Sequence, residues 1–278
     1  MILFPNGKIN LGLHITNKRS DGYHNLETVF FPVKWYDVLE IIPAGKSGDA
    51  NTFSGTGIIA TKNGNENICV KAYETLKYDF PNQLPPVQFY LHKTIPIGAG
   101  LGGGSADGAF TLKLLNQQFQ LGLSPEQLII YAGRLGSDCP FFIINRPCFA
   151  TGRGEILETV TIDLSAYKLL LVNPSIEIST KDAFAKLVPA FPEKSIKEII
   201  SQPVNTWRDN LKNDFEASVS EGWPEIGSIK RDLYDAGAIY ASMTGSGSTV
   251  YGIFHKDDKI SVNFPPHYIT KESAGELN

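Results

Sequence analysis

Between Pro96 and Ala106 the chain reads Pro-Ile-Gly-Ala-Gly-Leu-Gly-Gly-Gly-Ser-Ala, and five of the seven residues from Gly98 to Gly104 are glycine. Without Cβ atoms, such a segment can turn several backbone N–H groups onto one oxyanion. The helical pattern that follows adds unpaired first-turn amides and the positive end of its dipole. Pro96, Ile97, Gly98, Ala99, Gly100, Leu101, Gly102, Gly103, Gly104, Ser105 and Ala106 are therefore a candidate phosphate cradle. Gly98, Gly100 and Gly103 also satisfy G-x-G-x-x-G, but a dinucleotide fingerprint needs a βαβ unit and an acid about 20 residues further on. Here β-rich sequence precedes the loop, and residues 117–123 hold no acid. No Lys-Ser or Lys-Thr follows the glycines, which excludes a Walker A loop. A flexible linker would not carry a leucine and run straight into a helix. A nucleotide loop of a third type is the remaining reading.

Phosphoryl transfer requires cradled phosphates, a bridging Mg²⁺, and a group that orients or deprotonates the acceptor hydroxyl. Ser105 offers a hydroxyl at the helix start, suited to a metal or a phosphate. Asp138 lies in a polar break before the apolar Phe141-Phe142-Ile143-Ile144. It is either a cap for the next element or a site residue, and spacing alone leaves both open. Lys8 stands on the polar side of a strand pattern, where a lysine is ordinarily solvated. Tyr23 and His24 follow a turn, a surface position.

The elements that must hold these groups are legible in outline. Residues 7–16 alternate, with Ile9, Leu11, Leu13 and Ile15 on one face and Lys8, Asn10, Gly12, His14 and Thr16 on the other. Period two predicts a half-buried strand, which sets Lys8 and Asn10 on one face about 7 Å apart. Further strands are expected at 27–33, 38–42, 87–91, 168–173 and 249–254, and a turn at Arg19-Ser20-Asp21-Gly22. Helices are expected at 65–78, 105–119, 181–187, 194–201 and 225–236. The second of these shows an apolar stripe of Ala109, Leu112 and Leu115 or Phe119. Ser124-Pro125-Glu126-Gln127 is a helix start with N-cap, proline at N1 and Gln at N3, and Gly136 is its expected C′ stop. A second glycine turn, Thr244-Gly245-Ser246-Gly247-Ser248, precedes the last strand.

With 278 residues, two domains are expected, with a seam near 155–165 that divides residues 1–160 from 161–278. The net charge of −4 and the absence of a basic block give no support for nucleic-acid binding. Cys69, Cys139 and Cys148 form no C-x-x-C pair, so neither a disulfide framework nor a zinc ribbon is indicated. No secretory leader and no run of 18 apolar residues is present, so a cytoplasmic protein without membrane association is expected.

Read together, these pieces gain meaning. Phe4-Pro5-Asn6-Gly7-Lys8-Ile9-Asn10-Leu11, Asp21-Gly22-Tyr23-His24, the glycine loop, Leu135-Gly136-Ser137-Asp138-Cys139-Pro140-Phe141-Phe142 and Thr244-Gly245-Ser246-Gly247 occur in that order. In this the chain resembles the GHMP-type small-molecule kinases, from about residue 4 to residue 254, with Asn213-Asp214-Phe215-Glu216 and 237–247 included. The Asp-Gly-Tyr-His element is the discriminating piece. It implies the branch that uses ATP to phosphorylate the 2-hydroxyl of a cytidine-diphosphate-linked methylerythritol in the non-mevalonate isoprenoid pathway. The alternatives are another GHMP kinase, whose substrate has no base to recognise, or a catalytically silent ligand-binding regulator.

The resemblance implies that Lys8 and Asp138 are the catalytic pair, with Asp138 on the acceptor hydroxyl and Lys8 holding that carboxylate. It implies that residues 96–106 wrap the phosphates of ATP, with Ser105 as a possible Mg²⁺ contact. Tyr23 would stack on the cytosine, His24 would bond its edge, Phe184 would close its other face, and Asn10 would reach the acceptor end. The implied fold is α/β (α+β) in two lobes with the site in the cleft: an N-terminal ribosomal S5 domain 2-like lobe and a C-terminal ferredoxin-like lobe. Monomer and weak homodimer both remain open. Two departures stand out: Gly7 replaces the usual alanine, and Ser105-Ala106 lacks the second hydroxyl of the usual loop ending. Gly108 costs the helix roughly 0.5–1 kcal/mol relative to alanine and would permit a closer packing approach.

Overall fold

The computed structural model describes residues 1–45, 50–58, 67–184 and 187–276. The first elements are β1 (Ile2–Leu3), β2 (Asn6–Lys18), β3 (His24–Tyr36), β4 (Val38–Pro43) and β5 (Thr52–Gly57). Next come α1 (Ile68–Asp79), β6 (Val87–Lys93), α2 (Gly103–Gln118), α3 (Pro125–Leu135) and α4 (Cys139–Ile144). Then follow β7 (Cys148–Thr151), β8 (Ile156–Thr159), β9 (Tyr167–Asn173), α5 (Thr180–Phe184), α6 (Ile196–Ile200) and α7 (Trp207–Asn210). The chain closes with α8 (Phe215–Gly222), α9 (Pro224–Asp235), β10 (Tyr240–Met243), β11 (Val250–His255) and β12 (Ile269–Ala274). The expected helix at 65–78 starts at Ile68 with Asn67 as its cap; residues 65 and 66 lie outside the described residues, as do 185 and 186 of the expected 181–187 helix.

The chain forms two compact units, each discontinuous in sequence. One comprises Met1–Gly7, Trp35–Ile97 and Gly102–Asn145; the other comprises Lys8–Lys34, Gly98–Leu101 and Arg146–Asn278. Within the second unit β3 pairs with β7, Thr28 opposite Ala150, which joins residues 8–34 to the segment from residue 146 onward.

The first unit holds a four-stranded sheet in the order β1-β4-β6-β5, antiparallel except for the β5–β6 pair. Helices α1 to α4 belong to it. The α3 start behaves as its sequence dictates: Ser124 and Gln127 form a reciprocal capping box with Pro125 at N1. The helix ends at Leu135, but Gly136 is extended (φ 170°), not left-handed, so the chain leaves without a glycine-specific turn. Helix α2 corrects the single-stripe expectation. Ala106, Asp107, Ala109, Phe110, Thr111, Leu112, Leu114 and Leu115 are all buried, as in a helix enclosed on most sides. At Gly108 a Cβ would stand 2.8 Å from Ile68 Cγ1, so the residue that weakens the helix allows α1 to approach.

The second unit holds two four-stranded sheets, β2-β3-β7-β8 and β10-β11-β9-β12. A core of Leu13, Ile15, Val172, Phe215, Val219, Ile226, Ile229, Leu233, Met243 and Phe254 joins β2, β9, α8, α9, β10 and β11. The polar segment after His255 contributes β12, whose residues 269–274 pair antiparallel with β9. Strand β2 is not half-buried as alternation predicts: residues 6–15 are buried on both faces. Its polar face is enclosed because it carries a hydrogen-bonded network. Among the described residues no helix is long and apolar enough to cross a membrane.

Candidate active site

In the second unit the network begins at Lys8, which is 4% exposed. Its ammonium donates to Asn10 Oδ1 at 2.7 Å and lies 4.9 Å from the centre of the Phe30 ring. Asn10 is fixed on every side. Its Nδ2 donates to Thr28 Oγ1 (2.9 Å), its N–H donates to Thr244 Oγ1 (3.0 Å), and its carbonyl accepts from Tyr251 Oη (2.8 Å). With Nδ2 committed to Thr28, only the amide oxygen can face the lysine.

The front of the glycine loop is tied to the same group. Three successive carbonyls are held: Ala99 O by Thr249 N–H (3.2 Å), Gly100 O by Thr244 Oγ1 (3.1 Å) and Leu101 O by Lys8 N–H (2.8 Å). In a trans peptide the next residue's N–H points opposite to the carbonyl. The amides of Gly100, Leu101 and Gly102 are thereby turned away from these anchors, as an anion-binding nest requires. Gly100 has φ +76°, and a Cβ there would fall 2.1 Å from Thr244 O, so glycine is obligatory. The Thr244 turn is itself held by Asn213, whose Nδ2 donates to Met243 O and Gly245 O, and by Glu216, which accepts from Met243 N–H (2.7 Å). Asp214 accepts from Ile15 N–H and contacts His14 on β2. The Asn-Asp-Phe-Glu tetrapeptide is thus scaffolding.

At the other end of β2, the Arg19–Asp21 pair (Nη2 to Oδ2 2.9 Å) closes the turn, and Asp21 accepts from Tyr23 N–H. The side-chain hydrogen bond from Arg19 holds the Asp21 carboxyl below its ordinary value. Tyr23 is 58% exposed. His24 stacks on Phe184 with ring centres 4.6 Å apart and planes at 20°. An exposed tyrosine and a histidine–phenylalanine stack side by side in sequence make a surface suited to a flat heterocycle.

The first unit carries the rest. Gly102 (φ +70°) opens α2 without a side-chain cap hydrogen bond. Burial pushes the Cys139 thiol up to about 12, against the opposing effect of the neighbouring Ser105 hydroxyl. Asp138 precedes that cysteine as N-cap of α4, yet makes no capping hydrogen bond to the helix. The C-terminal end of α4 is held by Lys113, whose ammonium donates to Phe142 O at 2.9 Å. Burial lowers the Lys113 ammonium to about 8.

The structure therefore brings together Lys8, Asn10 and residues 99–101, pairs His24 with Phe184, and places Ser105 against the residue after Asp138. Two ends of the expected cradle offer no amide. Pro96 lacks an N–H, and the buried Ala106 commits its own to Gly102 O at 2.9 Å. Thr244 and Thr28 were not singled out from sequence. The glycine turn at 244–248 marked the first; nothing local marked the second.

Residues 67–146 match the GHMP kinases N terminal domain and residues 195–262 match GHMP kinases C terminal. A mevalonate kinase from Methanococcus jannaschii, 13% identical, has the same fold, with a TM-score of 0.69 over 93% of this chain and 92% of that one. Fold and site define a GHMP-type small-molecule kinase. A 4-diphosphocytidyl-2-C-methyl-D-erythritol kinase of Bacteroides fragilis is 52% identical over 94% of both chains. The crystal structure of a 4-(cytidine 5'-diphospho)-2C-methyl-D-erythritol kinase, 25% identical, superposes with a TM-score of 0.79 over 99% of this chain and 100% of that one. The chain belongs to the 4-diphosphocytidyl-2-C-methyl-D-erythritol kinase family.

Proposed function

We infer that the protein transfers the γ-phosphoryl group of ATP to the 2-hydroxyl of 4-diphosphocytidyl-2-C-methyl-D-erythritol, a step of the non-mevalonate isoprenoid pathway. The observation that carries this reading is the exposed Tyr23 beside the His24–Phe184 stack, on the same compact unit as Lys8 and Asn10. An acceptor such as mevalonate or homoserine has no base for such a surface.

In this reading the amides of residues 100–105 receive the ATP phosphates. The Asp138 carboxylate takes the proton of the 2-hydroxyl as its oxygen attacks the γ-phosphorus, and the bond to the ADP oxygen breaks. The Lys8 ammonium, aimed by Asn10, offsets negative charge developing on the transferred group. Tyr23 and Phe184 flank the cytosine and His24 bonds its edge. Among the described residues no three His, Cys, Asp or Glu side chains converge on a metal position. A Mg²⁺ would be held by phosphate oxygens and water, with the Ser105 hydroxyl as the candidate ligand from the loop, and would supply charge neutralisation to the nucleotide phosphates. Three buried free thiols accord with a reducing cytoplasm.

The test is ADP release from Mg-ATP with a panel of acceptors. Turnover is expected with the cytidine-diphosphate substrate and not with mevalonate, homoserine or galactose; turnover confined to one of the latter would overturn the assignment. Asp138→Ala should lower kcat by about 10²–10⁴-fold while ATP affinity holds, and near-normal turnover by that variant would remove Asp138 from its role.

A further inference from the structure

The register that joins β3 to β7 has a consequence beyond these residues. Thr28 faces Ala150, and two residues earlier Leu26 N–H donates to Gly152 O at 2.8 Å. This carries the turn Gly152-Arg153-Gly154-Glu155 alongside residues 21–24. Gly152 (φ +69°) and Gly154 (φ +106°) shape the turn, and Glu155 accepts from the Arg153 N–H. At its tip, the Arg153 guanidinium lies 4.9 Å from the centre of the Tyr23 ring.

Two arginines thus flank Tyr23, and they differ in commitment. Arg19 is tied to its own turn: Nε donates to both oxygens of Asp21 (3.1 and 3.0 Å) and Nη1 donates to Asn25 Oδ1 (2.9 Å). Arg153 has the aromatic face and a long ion pair to Glu155 (3.6 Å), both side chains being substantially exposed. Among the described residues its guanidinium makes no hydrogen bond. A planar fork of donors beside a ring suited to a pyrimidine matches the chemistry of a pyrimidine nucleoside diphosphate, whose phosphates leave the base close by.

We propose that Arg153 is a further substrate-binding residue: it braces the Tyr23 ring as one wall for the pyrimidine and presents its guanidinium to the adjoining diphosphate. The proposal rests on the cytidine-linked substrate reading above.

Arg153→Met and Arg153→Lys in the full chain test it, with cytidine 5'-diphosphate and cytidine as binding probes. Arg153→Met should raise KM for the cytidine-linked substrate about tenfold, with kcat and KM for ATP changing less than about twofold. Affinity for cytidine 5'-diphosphate should fall about tenfold and that for cytidine less than about threefold, because only the former carries the phosphates. The wild-type KM should rise with ionic strength more steeply than that of Arg153→Met. Arg153→Lys, which keeps the charge but not the fork, should fall between the two. Unchanged KM and probe affinity in Arg153→Met would overturn the proposal, as would equal losses for both probes or parallel losses in kcat and KM for ATP. A wild-type enzyme inactive on the cytidine-linked substrate would instead remove the reading on which the proposal rests.

Discussion

Asp107→Asn should make the protein more stable, and increasingly so as pH rises. The reason lies beneath the loop, in the first unit. Lys93 at the end of β6 pairs with both Asp37 and Asp107, the latter at 2.7 Å, with all three side chains almost wholly buried. Asp37 is further satisfied by the N–H groups of Thr94 (2.6 Å) and Ile95 (2.9 Å), whereas Asp107 Oδ1 has no hydrogen-bond partner. One ammonium thus faces two carboxylates. Burial, reinforced by the charge of Asp37, pushes Asp107 up to about 7. The sign follows directly. The native state holds a proton that the unfolded chain releases near its ordinary value of about 3.9, so stability present in acid is lost as pH rises toward 7. At about 1.4 kcal/mol per pH unit, the loss between pH 5 and 7 is roughly 2–3 kcal/mol. Asparagine has the same shape, leaves Lys93 and Asp37 paired one to one, and does not titrate. Urea unfolding of both proteins between about pH 5 and 8 should show their stability difference growing by about 2–3 kcal/mol in favour of the variant. Parallel pH profiles would refute the reasoning, and a difference growing the other way would mean that the charged carboxylate is a net stabiliser.

Two further substitutions probe the glycines. Gly100→Ala would place a methyl group 2.1 Å from Thr244 O at φ +76°; the loop must shift, and nucleotide affinity measured by calorimetry should fall more than about tenfold. Gly108→Ala adds the better helix former but would meet Ile68 at 2.8 Å, so denaturant unfolding should show a loss of about 1–3 kcal/mol where propensity alone predicts a gain.

Much of the local structure was legible because its signals are local. The α3 capping box lies within Ser124–Gln127, and the structure reproduces it. Alternation set Lys8 and Asn10 on one face, and they meet at 2.7 Å. What alternation could not show is that this polar face is buried, since its partners Thr28 and Thr244 come from 18 and 234 residues along the chain from Asn10. The same distance effect hid the anchoring of carbonyls 99–101 and the pairing of β12, whose Ile-Thr-Lys-Glu-Ser-Ala carries no apolar pattern of its own. Gly136 followed the usual sign for a helix stop, yet its backbone is extended, because the residue type permits a left-handed turn without requiring one. Arg153 escaped notice for a related reason: its meaning comes from the register that places its turn beside Tyr23.

The bare start of α2 departs from what helix stability alone would select. A Ser, Thr, Asp or Asn side chain over the first turn ordinarily adds about 1 kcal/mol to a helix, and position 102 instead carries glycine at φ +70° with no cap. Any residue that closed that turn with its own oxygen would take the amides that the proposed nucleotide needs. At φ +70° a conventional capping residue would also be strained, so capping substitutions here would weaken nucleotide binding without the stability gain they bring elsewhere. Comparing consensus stabilisation at position 102 with that at Ser124, where the cap faces no ligand, separates a helix end kept for folding from one kept for chemistry.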